Sequence, residues 1–275
     1  MTVGREHGEW NPQDLKFVVQ TLVPERKDPE HVVELLRDDD EILDAMLQDT
    51  RLFQQLMDDE EILLSVSPHF FFKVLLLRTR RDMAREVYTI ERRNLQRIAL
   101  FDAHRVVDLL AQPEIIDYLA GLLASFTRVR TTTIPIRVRQ GIWYRLKVSD
   151  LDVDSLIRYS RFVKEEDYFA VFRRIGDACL FLTGIFPEYI SAQTVYPHSG
   201  QPRPRLKGSL FHDLDDYEGY GQAFYRRASA DQQAETAGLR EVMKTLSRDF
   251  VLAEKPLTFL ATRYLSLRKR QLFQF

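Results

Sequence analysis

Four times in the first 113 residues, a proline directly follows a side chain placed to cap a helix: Asn11-Pro12, Asp28-Pro29, Ser67-Pro68 and Gln112-Pro113. Proline at the first helical position sacrifices no intrahelical hydrogen bond, and its φ is already helical. The Asn, Asp or Ser before it accepts a hydrogen bond from an orphan N–H of the first turn; Gln112 is the weaker cap. Apolar runs follow each pair, as in "HVVELL", "HFFFKVLLL" and "EIIDYLAGLL". Such start signals predict a mainly α chain.

Residues 31–66 add a loose repeat with a ten-residue period: "HVVELLRDDD", "EILDAMLQDT", "RLFQQLMDDE", "EILLSVSPHF". Each unit has an apolar pair at its second and third positions, and Asp39, Asp49 and Asp59 hold the ninth. We read short helices, each capped by the aspartate that ends the preceding unit. The alternative is an acidic docking surface for a basic partner.

"TRVRTTTIPIRVRQGIWYRLKV" breaks the helical pattern. Charged and β-branched residues alternate there, with "QG" as a turn, which is strand periodicity. Helix is expected again over residues 154–163, 166–183, 214–227, 231–250 and 256–270, and the 68–93 stretch is read as one helix that becomes amphipathic. The expected fold is therefore mainly α: a multi-helix single domain of about ten helices, with a small β-hairpin element near residues 127–148. Residues 1–66 form an acidic short-helix region packed on the core. Residues 67–275 form the helical core, with the basic β element inserted and a Pro/Gly loop at 196–209.

The stretch "RRIGDACLFLTGIFPEY", residues 173–189, holds the only cysteine, Cys179. Tyr168, Phe172, Ile175, Cys179 and Leu182 recur at helical spacing, so Cys179 is expected in a core-facing stripe. Gly176 would leave a notch for a neighbouring helix, Gly184 would stand at C′ of the helix end, and Arg173, Arg174 and Asp177 would mark the polar side.

The formal net charge of −2 conceals a segregation. Thirteen acids lie between Asp28 and Glu61, opposed by Arg37 and Arg51 alone. Six basic residues and no acid lie between Phe126 and Val148. One cysteine allows no internal disulfide and no multi-cysteine metal site in one chain, which fits a reducing compartment. The first residues lack the apolar core of a secretory signal, and no run approaches a membrane span. We expect a cytoplasmic protein without membrane contact.

No HExxH, Walker-type phosphate loop or GxSxG pattern occurs, and no Glu-x-x-His pair. Asp150, Asp152 and Asp154 alternate as in a calcium loop, but Ser155 and Arg161 stand where that loop needs Gly and Glu. His212-Asp213, with His198 upstream, forms the remaining candidate metal set, since adjacent His and Asp can share a hydrolytic metal. Against it stands a simple loop-to-helix junction with Asp213 as cap. His69 and His104 are read as hydrogen-bonded or solvent-facing.

The main partner signal is Arg128, Arg130, Arg137, Arg139, Arg145 and Lys147. Arginine forks bind phosphate at two points, and Trp143 and Tyr144 can stack on exposed bases. The acidic repeat is the competing internal partner for the same charges. We expect a non-catalytic interaction or regulatory protein with segregated acidic and basic surfaces, engaging a protein partner or itself, and needing no cofactor. The alternatives are a helical enzyme or ligand binder with a buried pocket, and nucleic-acid or polyanion binding through the arginine-rich hairpin.

Overall fold

Each of the four cap–proline pairs opens a helix in the computed structural model, which describes residues 10–273 apart from 27, 60, 94–95, 140–141 and 195–211. These helices are α1 (Pro12–Leu22), α2 (Pro29–Asp38), α6 (Pro68–Met83) and α8 (Pro113–Phe126). Asn11, Asp28 and Ser67 accept from the backbone N–H of Gln13, His31 and Phe70, at 3.0, 3.3 and 3.2 Å; Gln112 makes no such bond.

The ten-residue repeat becomes three further short helices, α3 (Asp40–Leu47), α4 (Thr50–Asp58) and α5 (Ile62–Ser65). Its ninth-position aspartates cap α3 and α4 as expected, whereas Asp59 stands two residues before the N-cap of α5, Glu61. Asp39 accepts from Glu41 and Ile42 N–H (3.1 and 3.0 Å), Asp49 from Arg51 N–H (2.8 Å), and Asp59 from Glu61 N–H (2.8 Å). Leu36, Leu43, Leu47, Leu52 and Leu56 are buried on the inner faces, so each unit needs its neighbours to cover its apolar side.

α6 is buried almost all round from Phe70 to Leu77, as its unbroken apolar run requires. It packs against α8, α4 and α7 (Ala103–Leu109). The second central helix, α10 (Tyr168–Ile185), follows α9 (Val153–Tyr159) and packs against α11 (Pro187–Thr194), α12 (Leu214–Ala230) and α15 (Phe250–Arg263). α15 also touches α6, which joins the two halves through one hydrophobic core. α13 (Gln232–Thr236), α14 (Arg240–Arg248) and α16 (Lys269–Leu272) complete the sixteen helices among the described residues. The protein is a mainly α single domain with two small antiparallel hairpins, β1 (Thr89–Arg93) with β2 (Gln96–Leu100), and β3 (Thr131–Arg139) with β4 (Ile142–Ser149). No helix among the described residues is long and apolar enough to cross a membrane.

Several boundaries differ from expectation. The 68–93 stretch is not one helix: α6 ends at Met83, and β1 begins at Thr89. Its hairpin partner in "QRIAL" restores strand pairing, and the Thr89 hydroxyl donates to Asp102 at 2.5 Å. Residues 231–250 split into α13 and α14 at Gly238, whose φ of 65° is open to glycine and costly for other residues. Pro256 lies inside α15 rather than at its start. Gly184 is not C′, because α10 runs on to Ile185; a Cβ there would lie 2.7 Å from Leu257 of α15. Gly176 does form the expected notch, with the Tyr225 ring filling it (2.7 Å from a would-be Cβ).

Candidate functional site

The β3–β4 ribbon has two unlike faces because side chains alternate along a strand. Thr132, Ile134, Leu146 and Val148 share one face, in the register Thr132↔Val148 and Ile134↔Leu146. Leu146 and Val148 are buried, and β4 packs against α9. The opposite face carries Thr131, Thr133 and Pro135 across from Ser149, Lys147 and Arg145, and then Arg137 across from Trp143. A register shift between Arg137 and Arg139 marks a bulge near the turn.

The base of the ribbon is held by polar contacts over long sequence separations. Asp150 N–H donates to the Arg130 carbonyl (3.1 Å), and Arg130 N–H donates to the Asp150 carboxylate (3.1 Å). Arg174 of α10 pairs with Asp150 at 3.1 Å, donates to the Ser125 hydroxyl at 2.7 Å, and lies over the Phe126 ring at 3.9 Å. Ser149 N–H donates to the Ser155 hydroxyl at 3.2 Å. One arginine thus ties the ribbon to both α8 and α10.

At that base and along β4 cations face water. Arg128, Arg130, Arg145 and Lys147 are exposed, and among the described residues Arg128, Arg145 and Lys147 have no ion-pair partner. The side chains of Arg137 and Arg139 lie outside the described residues. Trp143 is 63% exposed and Tyr144 56%. A groove of about 460 Å³ runs along β4 onto α9, lined by Tyr144, Arg145, Lys147, Asp152 and Arg158 with Thr131 and Ser149 at its base. Its one carboxylate, Asp152, is engaged as the N-cap of α9, accepting from Ser155 N–H at 3.1 Å.

The acidic repeat is not the partner of these cations among the described residues. Its aspartates cap helices, Asp49 pairs with Arg51 at 2.9 Å, and Asp44 lies 3.7 Å from Lys73 of α6. The side-chain hydrogen bond from Arg51, then its backbone N–H, holds the Asp49 carboxyl below its usual range.

The candidate metal residues fall apart into separate partnerships. Asp150 serves Arg174, Asp152 serves its helix cap, and Asp154 meets His212 Nε2 at 2.9 Å. Asp213 caps α12 in a reciprocal box with Asp216, each carboxylate accepting the other's backbone N–H (3.0 and 3.1 Å). His198 lies outside the described residues, as does the 196–209 loop. Among the described residues no group of three His, Cys, Asp or Glu side chains is placed to hold a metal ion. His69 meets the Asp117 carbonyl at 3.3 Å, and His104 is exposed.

Two polar features of the interior were not legible in the sequence. Asp177, expected on the polar side of its helix, is buried, where the hydroxyls of Tyr118 and Tyr225 both donate to its Oδ1 at 2.5 and 2.8 Å. Burial pushes its carboxyl pKa up despite those bonds and the nearby charge of Arg173. Asp102 receives Thr89 and Lys255 together; burial raises its pKa, but the two hydrogen bonds outweigh that and hold it low. A cavity of about 30 Å³ beside Lys255, Thr183 and Glu218 has room for a water or two, far below the hundreds of Å³ of a small-molecule site. Cys179 is fully buried, and burial, with the charges of Glu254 and Asp177, pushes its thiol well above the ordinary range.

Comparison of the chain with protein-family models, with curated proteins and with solved structures finds no match.

Proposed function

We propose that this chain is a non-catalytic interaction protein that engages a polyanionic partner through the exposed basic face of β3–β4. The observation that carries the reading is that Arg145 and Lys147 of β4 are exposed without an ion-pair partner among the described residues, on a ribbon whose base is tied down by Arg174. A protein that needed these charges only for stability would place carboxylates against them. The thirteen acids of residues 28–61 offer many, and those with recorded partners are used as caps and local pairs. The rigid base matters as well, because a preorganised cation array loses less entropy on binding than a mobile one.

A cytoplasmic setting accords with the single, buried thiol, which needs no disulfide partner. The test is binding to an immobilised polyanion over a salt series. Wild-type protein is retained at low salt and released as salt rises, because binding releases counterions. The variant Arg145→Ala with Lys147→Ala loses most of that retention; equal retention of both proteins would remove the hairpin from the reading.

A further inference from the structure

The backbone of β4 has an edge that the ribbon itself does not use. In an antiparallel pair, every second residue aims its N–H and C=O at the partner strand, and the residues between aim theirs away. Three observations fix the phase. Asp150 N–H donates to the Arg130 carbonyl at 3.1 Å, so Asp150 aims toward the β3 side. Ser149 N–H points off the ribbon and donates to the Ser155 hydroxyl at 3.2 Å. Pro135, which has no N–H to give, lies across from Arg145. Counting back by twos from Ser149, the backbone groups of Lys147, Arg145 and Trp143 all point away from β3. Among the described residues no further strand lies on that edge, and no backbone group from outside the ribbon bonds to these three residues.

The two edges of the ribbon differ. β3 carries Pro135 and the bulge between Arg137 and Arg139, and both features blunt an edge against further pairing. β4 carries neither from Trp143 to Lys147. The residues with open backbone also hold the open charge, since Arg145 and Lys147 are the exposed cations of this strand. The groove beside β4 is lined by Tyr144, Arg145, Leu146 and Lys147 in succession, with Arg158 of α9. Side chains alternate between faces, so a groove that meets successive residues follows the edge of the strand rather than one face.

We infer that β4 accepts an extended, acidic peptide segment of a partner protein as an added third strand. The inference rests on the polyanion reading above and names its partner and mode of binding. Backbone groups supply affinity in such an addition, and alternate side chains supply selectivity. In the antiparallel arrangement, the more stable per residue, residues opposite Arg145 and Lys147 share their face. Carboxylates at alternate positions of the incoming strand thus meet both cations. A second copy of β4 would set these cations against their own counterparts, which disfavours self-pairing. A nucleic acid answers the charges but has no peptide N–H and C=O to continue the ladder.

The experiment titrates the full chain with a peptide of roughly eight residues that alternates glutamate with threonine. Two further forms are N-methylated, one at the glutamates and one at the threonines, and an oligothymidylate of matched charge serves as a polyanion without a peptide backbone. The unmethylated peptide is expected to bind at low salt and to slow the amide exchange of Arg145 and Lys147, read by NMR. Methylation at the glutamates, whose N–H groups face β4 in the antiparallel arrangement, should weaken binding roughly tenfold or more, and methylation at the threonines should not. Loss confined to the threonine form supports the same edge in the parallel direction. Arg145→Ala with Lys147→Ala keeps the backbone edge and should weaken binding roughly two- to thirtyfold. Both side chains are exposed, so the urea midpoint of that variant should match wild type and show that it folds. If the two methylated forms bind alike, if the Arg145 and Lys147 amides exchange as before, or if the oligothymidylate binds more tightly than the peptide, strand addition falls and the polyanion reading stands. If no anionic probe binds at low salt, or the variant binds all of them like wild type, both fall.

Discussion

In the acidic helices the carboxylates turn back on their own backbone; in the basic ribbon the cations turn away from the protein. Asp28, Asp39, Asp49 and Asp59 each accept an N–H two or three residues ahead, so these four carboxylates serve their own backbone. Arg145 and Lys147 lie on a face whose opposite strand presents threonines and a proline, with no carboxylate across from them. The difference follows from geometry. A short acidic side chain reaches the orphan N–H groups at its own helix start, where the dipole also favours it. A long basic side chain on a strand finds no comparable local acceptor, and needs a partner from elsewhere.

This contrast can be broken or sharpened by substitution. The largest effect is expected from Asp39→Ala, Asp49→Ala and Asp59→Ala together, at about 1 kcal/mol for each of the two lost N-caps and about 1 kcal/mol for the bond from Glu61 N–H to Asp59, about 3 kcal/mol combined if additive. Urea unfolding measures it; a loss below about 1 kcal/mol for the triple variant would mean that the acids are not structural. Next comes Arg174→Ala, which deprives Asp150 of its charged partner and frees the ribbon base. Loss of a hydrogen bond to a charged group predicts about 2 kcal/mol, and hydrogen exchange should rise in β3–β4 before it rises in the helices.

Asp177 shows a third use of a carboxylate, and its test is pH dependence. Its pKa is raised in the folded protein, so its contribution is fully present below the ordinary carboxylate pKa and is lost as pH rises through the folded value. Asp177→Asn keeps an oxygen for Tyr118 and Tyr225 and removes the titration. Stability of the variant relative to wild type should therefore rise with pH across that window; a flat difference would mean that Asp177 titrates normally. The smallest effect is expected from Arg145→Ala with Lys147→Ala, within about 0.5 kcal/mol of wild type, since exposed unpaired side chains contribute little to stability. A larger loss would assign the ribbon's charges to the fold rather than to a partner.

Where sequence reasoning missed, it was through competing patterns and distant partners. "MAREVYTIERR" reads plausibly as amphipathic helix, and the strand in it becomes visible only with its mate "QRIAL" and with Asp102 bound to Thr89. The β3–β4 ribbon was legible because its alternation is long and its arginines rule out a buried helix. The packing of Phe273 was not legible from its neighbours: it enters the core, stacked on Phe72 at 5.6 Å and edge-on to Phe181 at 4.9 Å.

By itself the sequence determined the helix starts, the capping aspartates of the repeat, the two-faced ribbon and the burial of Cys179, because each depends on side chains within a turn or a strand of one another. Only the tertiary structure decided which charges are neutralised. Arg174 meets Asp150 across 24 residues, His212 meets Asp154 across 58, and Tyr118 meets Asp177 across 59. Charges and hydroxyls act over a few ångströms, and the packing of α8, α9, α10 and α12 alone sets which of them come that close.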